Sequence, residues 1–142
     1  MKSYIIDTSV VVKWFDTQDE ANLINARKVL DDFQKGLTRA FTVDLLLIEL
    51  ANVLLITKKF FPLQIKVALE SLSRCRMTIF SVNTNLTAEA AILASKYQIT
   101  PYDAIFVVLA RQNNCQLVSA DQKSHGKITD SSVVMLKDYP PI

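Results

Sequence analysis

Four carboxylates in this chain stand against apolar sequence that reads as core. Asp7 follows the strand-like run Tyr4-Ile5-Ile6, and Glu49 lies inside the apolar run 45–56. Asp103 leads into the apolar run 104–110, and Asp121 closes Leu117-Val118-Ser119-Ala120. An isolated buried carboxylate is costly, and its usual remedies are a raised pKa, a paired cation or a metal. A fold that gathered all four would make an acidic site for hard divalent cations, which is the chemistry of a metal-dependent phosphodiesterase.

Each acid also has a local explanation. Asp7 precedes Thr8-Ser9 and a helical stretch, where an aspartate caps a helix or closes an Asx-turn. Thr100-Pro101-Tyr102-Asp103 has capping-box spacing with proline at the first helical position, and capping is compatible with a second role because a helix N-terminus stabilises and positions a carboxylate. Asp121 ends a strand and opens a polar loop, so a turn role is open to it. Glu49 has the weakest local explanation. On a helix it shares a face with Asn52, Val53 and Ile56. A glutamate facing a cation, with Asn52 hydrogen-bonding beside it, fits better than a narrow solvent stripe.

The elements that must position these acids follow from apolar period and from breakers. Residues 3–7 read as a strand rich in β-branched residues, 10–15 as a short helix, and 20–35 as an amphipathic helix ended by Gly36. Residues 39–43 form a weak strand or extended link. Residues 44–59 form a strong helix, apolar almost all round, as expected of a helix sandwiched inside a domain. Pro62 opens a helix to residue 74. Strands follow at 77–82, 116–120 and 132–136, helices at 88–97 and 101–113, and a polar loop at 121–130. Alternating strands and helices imply a single α/β domain over residues 1–142, a sandwich around a mainly parallel sheet. Asp7 and Asp121 then sit at the carboxyl ends of two strands, where open parallel sheets form ligand sites.

Composition narrows the class further. At 142 residues the chain is one domain, large enough to bury roughly 70% of its unfolded surface. Half of its residues are hydrophobic, and glycine and proline are scarce, which disfavours long disordered tracts. A formal net charge of +2 permits contact with phosphate backbones without demanding it. Cys75 and Cys115 are widely separated, with no C-x-x-C pattern, and read as packed thiols of a reducing compartment. The run 45–56 is shorter than the ~20 apolar residues that span a bilayer. A soluble cytoplasmic protein is expected. His125, the one histidine, lies in a polar run and reads as a solvated loop residue, and no nucleophile elbow or glycine-rich phosphate loop is present. Trp14 and Phe15 read as core. Asp16, Asp19, Glu20, Asp31, Asp32, Glu70 and Glu89 read as solvated charges.

In order along the chain, the surroundings of the four acids resemble those of the PIN-domain ribonucleases, most closely the toxin subunits of VapBC-type toxin–antitoxin pairs. The residues that carry the resemblance are Asp7-Thr8-Ser9 with Val12-Lys13-Trp14-Phe15, and Asp44-Leu45-Leu46-Leu47-Ile48-Glu49 with Ala51-Asn52-Val53-Leu54. Tyr102-Asp103-Ala104 and Leu117-Val118-Ser119-Ala120-Asp121 follow. The match covers nearly the whole chain. It implies a three-layer α/β/α fold whose acidic pocket binds Mg²⁺ or Mn²⁺. By the same resemblance Asp7 and Asp103 are the principal metal ligands, and Glu49 and Asp121 complete the set, partly through metal-bound water. Ser119 stands where threonine is common, and its hydroxyl could hold a water or Asp121; Thr8 or Ser9 could do the same for Asp7. Two positions depart from the pattern. Val43 replaces a common proline, and Gln122 replaces a common basic residue, so phosphate contact on that side falls to Lys123 or Lys127.

The resemblance implies hydrolysis of RNA to a 5′-phosphate and a 3′-hydroxyl, a cognate antitoxin partner, and a homodimer built on the apolar faces of helices 20–35 and 62–74. All-oxygen ligation favours Mg²⁺ or Mn²⁺ over zinc. Lys13, Lys58, Lys59, Arg74 and Arg76 are candidates for steering the RNA backbone. Two other readings stand beside this one: a housekeeping PIN nuclease without an antitoxin, and a binding module whose acids only cap helices.

Overall fold

The computed structural model describes residues 1–18 and 21–141. Five strands, β1 (Lys2–Ile6), β2 (Thr38–Val43), β3 (Thr78–Phe80), β4 (Gln116–Ser119) and β5 (Val133–Met135), form one sheet. The sheet is parallel throughout, in the order β3-β2-β1-β4-β5. Among the described residues, six α-helices accompany it: α1 (Thr8–Phe15), α2 (Leu23–Gln34), α3 (Leu45–Asn52), α4 (Pro62–Arg74), α5 (Thr84–Tyr97) and α6 (Pro101–Gln112). The chain steps from β1 to β2 to β3 in one direction, then returns across the sheet to β4 and β5. Because parallel crossovers are right-handed, the reversal places α1 to α4 on one face and α5 and α6 on the other. The expected three-layer α/β/α sandwich results. α6 packs on β1, β2 and β4 and is covered by α5, so residues 104–110 are all buried.

The reversal has a consequence for function. The switch in strand order falls between β1 and β4, and a crevice opens beyond the carboxyl ends of such a pair. Asp7 and Asp121 lie just past these two ends.

Local chemistry sets most of the boundaries. The Asp7 carboxylate accepts from the Ser9 amide at 3.1 Å, so α1 begins at Thr8, two residues ahead of the expected start. Asn83 caps α5 by accepting from the Leu86 amide at 2.8 Å, which starts that helix at Thr84 rather than at residue 88. The polar stretch 84–87 has no apolar period to announce a helix, but its cap does. Pro62 opens α4, where the Gln64 side chain accepts from the Phe61 amide at 2.7 Å. The weak strand at 39–43 is instead a full strand between β1 and β3, and its buried Thr42 hydroxyl donates to the Ile6 carbonyl at 2.9 Å. The expected start of the second helix at residue 20 lies outside the described residues, and α2 runs from Leu23.

Two expectations are corrected. The helix of residues 44–59 is not one sandwiched α-helix. It is α3 followed by a π-helical turn, Val53–Thr57, and it leaves Ile48 73% and Ile56 57% exposed. One apolar side packs on the core through Leu46, Leu50 and Leu54, while the other faces outward. Asp32 is not a solvated charge. It is buried, bonded to Lys28 Nζ at 2.5 Å and to the Tyr139 hydroxyl at 2.8 Å. Cys75 and Cys115 are free, half-buried thiols. Among the described residues, no helix is long and apolar enough to cross a membrane.

Candidate functional site

The crevice beyond β1 and β4 holds a cavity of about 340 Å³ lined by Asp7, Glu49, Asp103 and Asp121. The four acids come from four different places: the residue after β1, the middle of α3, the first turn of α6, and the loop just past β4. Thr8, Ser9, Lys13 and Lys58 line the same space.

Asp7 is the most enclosed, only 5% exposed. One of its oxygens, Oδ2, accepts from the Ser9 hydroxyl at 2.5 Å as well as from the Ser9 amide. Ser9 is itself aligned by the Ala120 amide, which donates to its Oγ at 2.9 Å. Burial raises the Asp7 pKa, and the charge of Asp103 adds to the rise, while His125 and Ser9 pull it the other way. Glu49 is half-buried and accepts from the Thr8 hydroxyl at 2.8 Å. Burial, together with the negative field of Asp7 and Asp103, pushes its pKa up to about 7 against the pull of Thr8 and His125. Two acids that resist ionisation in each other's company mark a place where positive charge is wanted.

Asp103 and Asp121 are held differently. Thr100 caps α6, accepting from the Asp103 amide at 3.2 Å and donating to its Oδ2 at 3.0 Å. Asp121 closes a turn on Ser124, taking the amide at 3.2 Å and the hydroxyl at 2.9 Å. The capping and turn roles read from the sequence are therefore real, and both residues face the cavity as well.

Of the supporting residues, Ser9 holds Asp7, while Thr8, expected at Asp7, bonds to Glu49 instead. Ser119 is fully buried and takes the Asp121 amide at 3.0 Å on its hydroxyl. Asn52 is not beside Glu49 in the cavity; it is exposed, and Val53, one position further along, lines the space instead. Residues three and four on from Glu49 flank its line on opposite sides, and here the fourth lies on the cavity side. Lys13 lines the cavity. Lys123 is exposed and lines a neighbouring groove of about 700 Å³ between α5, α6 and the 121–128 loop, which shares Asp103 with the acid cavity. Lys58 was one of several steering candidates; the π-helical turn brings it to the cavity, where it pairs with Asp16 at 3.3 Å.

The largest correction concerns His125. Far from being solvated, it is fully buried beneath the acids. Its Nδ1 lies 2.6 Å from Ser119 Oγ, and its Nε2 lies 2.8 Å from the main-chain oxygen of Asp103. A polar loop gives no periodic signal of burial, and the only hint is that His125 falls one helical turn after Asp121.

The donor set is all oxygen, crowded and mutually repulsive, which fits a hard divalent cation. Among the described residues, no group of three or more His, Cys, Asp or Glu side chains forms a ready-made cage.

A family model described as the PIN domain matches residues 4–128. The chain belongs to the PIN-domain family. Solved structures with this PIN fold include a toxin–antitoxin complex from Klebsiella pneumoniae, 18% identical, with a TM-score of 0.69 over 94% of this chain and 97% of that one. A DNA-bound VapBC from Salmonella typhimurium is 13% identical, with a TM-score of 0.69 over 96% and 99% of the two chains. A sarcin–ricin-loop-cleaving VapC toxin from Mycobacterium tuberculosis is 14% identical, with a TM-score of 0.64 over 82% and 87%. No curated protein matches the sequence. The PIN sheet order puts the switch point at β1 and β4, which is where the acid cavity lies.

Proposed function

We propose that this PIN-domain protein is an endoribonuclease that requires Mg²⁺ or Mn²⁺, and that it is the toxin of a cytoplasmic toxin–antitoxin pair. The observation that carries the reading is the convergence of Asp7, Glu49, Asp103 and Asp121 on one cavity, where burial, with the charges of Asp7 and Asp103, pushes the Glu49 pKa up to about 7. Asp7 and Asp103 would hold the ion, with Glu49 and Asp121 completing the site. When bound, the ion supplies Lewis-acid charge and an activated water at a backbone phosphorus. The chain's own residues set the stage. Ser9 fixes the orientation of Asp7, and Thr8 holds one oxygen of Glu49. Lys13 and Lys58 bring positive charge to the wall that faces an RNA backbone. Lys123 extends that charge along the neighbouring groove.

The exposed apolar residues support the partner assignments. Ile48, Leu55 and Ile56 give an antitoxin an apolar surface to cover, and Leu63 and Val67 on α4 give a second copy one. Cleavage is tested by mapping single-stranded RNA fragments at nucleotide resolution with Mg²⁺ or Mn²⁺ present and absent. The wild type should leave 5′-phosphate ends only with metal, and Asp103→Asn should leave none while melting like the wild type. Metal-independent cleavage, or full activity of the variant, removes the reading.

A further inference from the structure

His125 is a fully buried polar side chain that the catalytic reading does not use, and its hydrogen bonds can be assigned direction. The partner of Nε2 is a carbonyl oxygen, which only accepts, so Nε2 carries the proton. The Nδ1 partner is the Ser119 hydroxyl at 2.6 Å. Ser119 Oγ already accepts from the Asp121 amide at 3.0 Å, and its one proton has three possible acceptors, His125 Nδ1 at 2.6 Å, Asp7 Oδ2 at 3.4 Å and Ser9 Oγ at 3.5 Å. The shortest contact takes it. Asp7 loses nothing, because Ser9 donates to the same oxygen at 2.5 Å. Each donor is thus used once, in a single file: Asp121 N–H to Ser119 Oγ, Ser119 O–H to His125 Nδ1, and His125 Nε2–H to the Asp103 carbonyl. The main chain closes the circuit, since the His125 amide donates to the Asp121 carbonyl at 3.0 Å.

We propose that His125 is a positioning residue, a clamp that fixes the first turn of α6 against the β4 loop and so sets the separation of Asp103 from Asp121. The inference rests on the proposed metal site. It concerns the half of that site whose acids come from elements with no strand pairing between them. β1 and β4 are joined by the sheet, but α6 and the 121–128 loop meet only through side chains and loop contacts, and His125 is buried between them.

The clamp is tested with three variants and one spectrum. Gln places a donor near the Nε2 position and keeps the Asp103 bond; Asn places a polar atom near Nδ1 and keeps a partner for Ser119. His125→Gln and His125→Asn should each weaken Mn²⁺ binding, read by calorimetry, by about 10-fold, and His125→Leu by more, towards 100-fold. kcat on an RNA oligomer should fall in step while KM stays within about twofold, a split that general loosening of the fold does not produce. If His125→Leu fails to fold, the two polar variants still decide. Either of them binding Mn²⁺ and cleaving as the wild type does overturns the clamp. In the metal-free wild type, nitrogen-15 NMR should find a proton on His125 Nε2, and an imidazole protonated at Nδ1 alone overturns the clamp as well. Failure of the wild type to bind Mn²⁺ sinks the metal reading instead, and the tautomer then decides the clamp alone.

Discussion

Two aspartates of this protein are buried to almost the same degree, and their surroundings could hardly differ more. Asp32 is 6% exposed and Asp7 5%. Burial works against the charge of Asp32, but the hydrogen bonds of Lys28 and Tyr139 outweigh it, and its pKa ends below the ordinary carboxylate value. Burial also works against Asp7, and there it outweighs what His125 and the Ser9 hydrogen bonds offset, with the field of Asp103 adding a little, so the pKa ends above. Burial alone therefore says little about purpose. Asp32 is a finished structure, tying α2 to the C-terminal segment through Tyr139. At Asp7 the donors offset only part of the burial, and Glu49 beside it is raised in the same way. A fold that needs its acids ionised surrounds them with donors, and a site that needs a cation crowds them together.

Removing each charge should separate the two cases. Asp7→Asn should lower RNA cleavage by ~10²-fold or more, the scale of losing one electrostatic group at a reacting centre. The same change should leave the metal-free protein at least as stable as the wild type, because it deletes a charge the fold opposes. Cleavage assays paired with urea melts check both halves, and a clear loss of stability would place Asp7 with Asp32. Asp32→Asn should do the reverse. It should cost ~1–3 kcal/mol of stability by breaking a charge-assisted pair, with cleavage of folded protein within about twofold. Its stabilising effect is present above the unfolded aspartate pKa and is lost as pH falls through the depressed folded value. The wild type should therefore lose its advantage over Asp32→Asn only in acid.

The sequence made the two aspartates look different for the wrong reason. Asp7 was conspicuous because it follows an apolar strand; Asp32 sits beside Asp31 on an amphipathic helix and reads as one of a solvated pair. Nothing local reveals that Tyr139, 107 residues later, reaches back to Asp32. The same limit hid His125, whose partners Ser119 and Asp103 are brought to it by tertiary packing. Elements with caps or strong periods were legible: α4 has the bounds its proline predicts, and α6 and the parallel sheet follow from their apolar runs. The register and the layer swap made the site legible too, because Asp7 and Asp121 had to fall at strand ends. Asn52 misled, since sharing a broad helix face with Glu49 does not fix which side of it meets the cavity, and that side belongs to Val53. The all-apolar helix misled in a similar way, because an outward apolar face and a buried one have the same composition.

Glu49 gives the smallest effect and the finest test of the contrast, because its shift is opposite in sign to that of Asp32. The folded protein holds the Glu49 proton to about pH 7, while the unfolded chain releases it near 4.5. Between those values the native state binds more protons than the unfolded one, so stability falls as pH rises. Below about 4.5 both states are protonated and nothing is lost. Above about 7 the loss is complete. Glu49 is only half-buried, so solvent screening cuts the effect to roughly 1 kcal/mol. Urea melts of metal-free wild type and Glu49→Gln from pH 4 to 8 should show the variant gaining on the wild type across that window and holding a constant lead beyond it. Saturating Mn²⁺ should reverse the order at pH 8, because the ion binds the folded wild type and binds the variant less tightly. Parallel curves with and without Mn²⁺ would mean that Glu49 takes no part in holding the ion, and the site would then rest on the other acids.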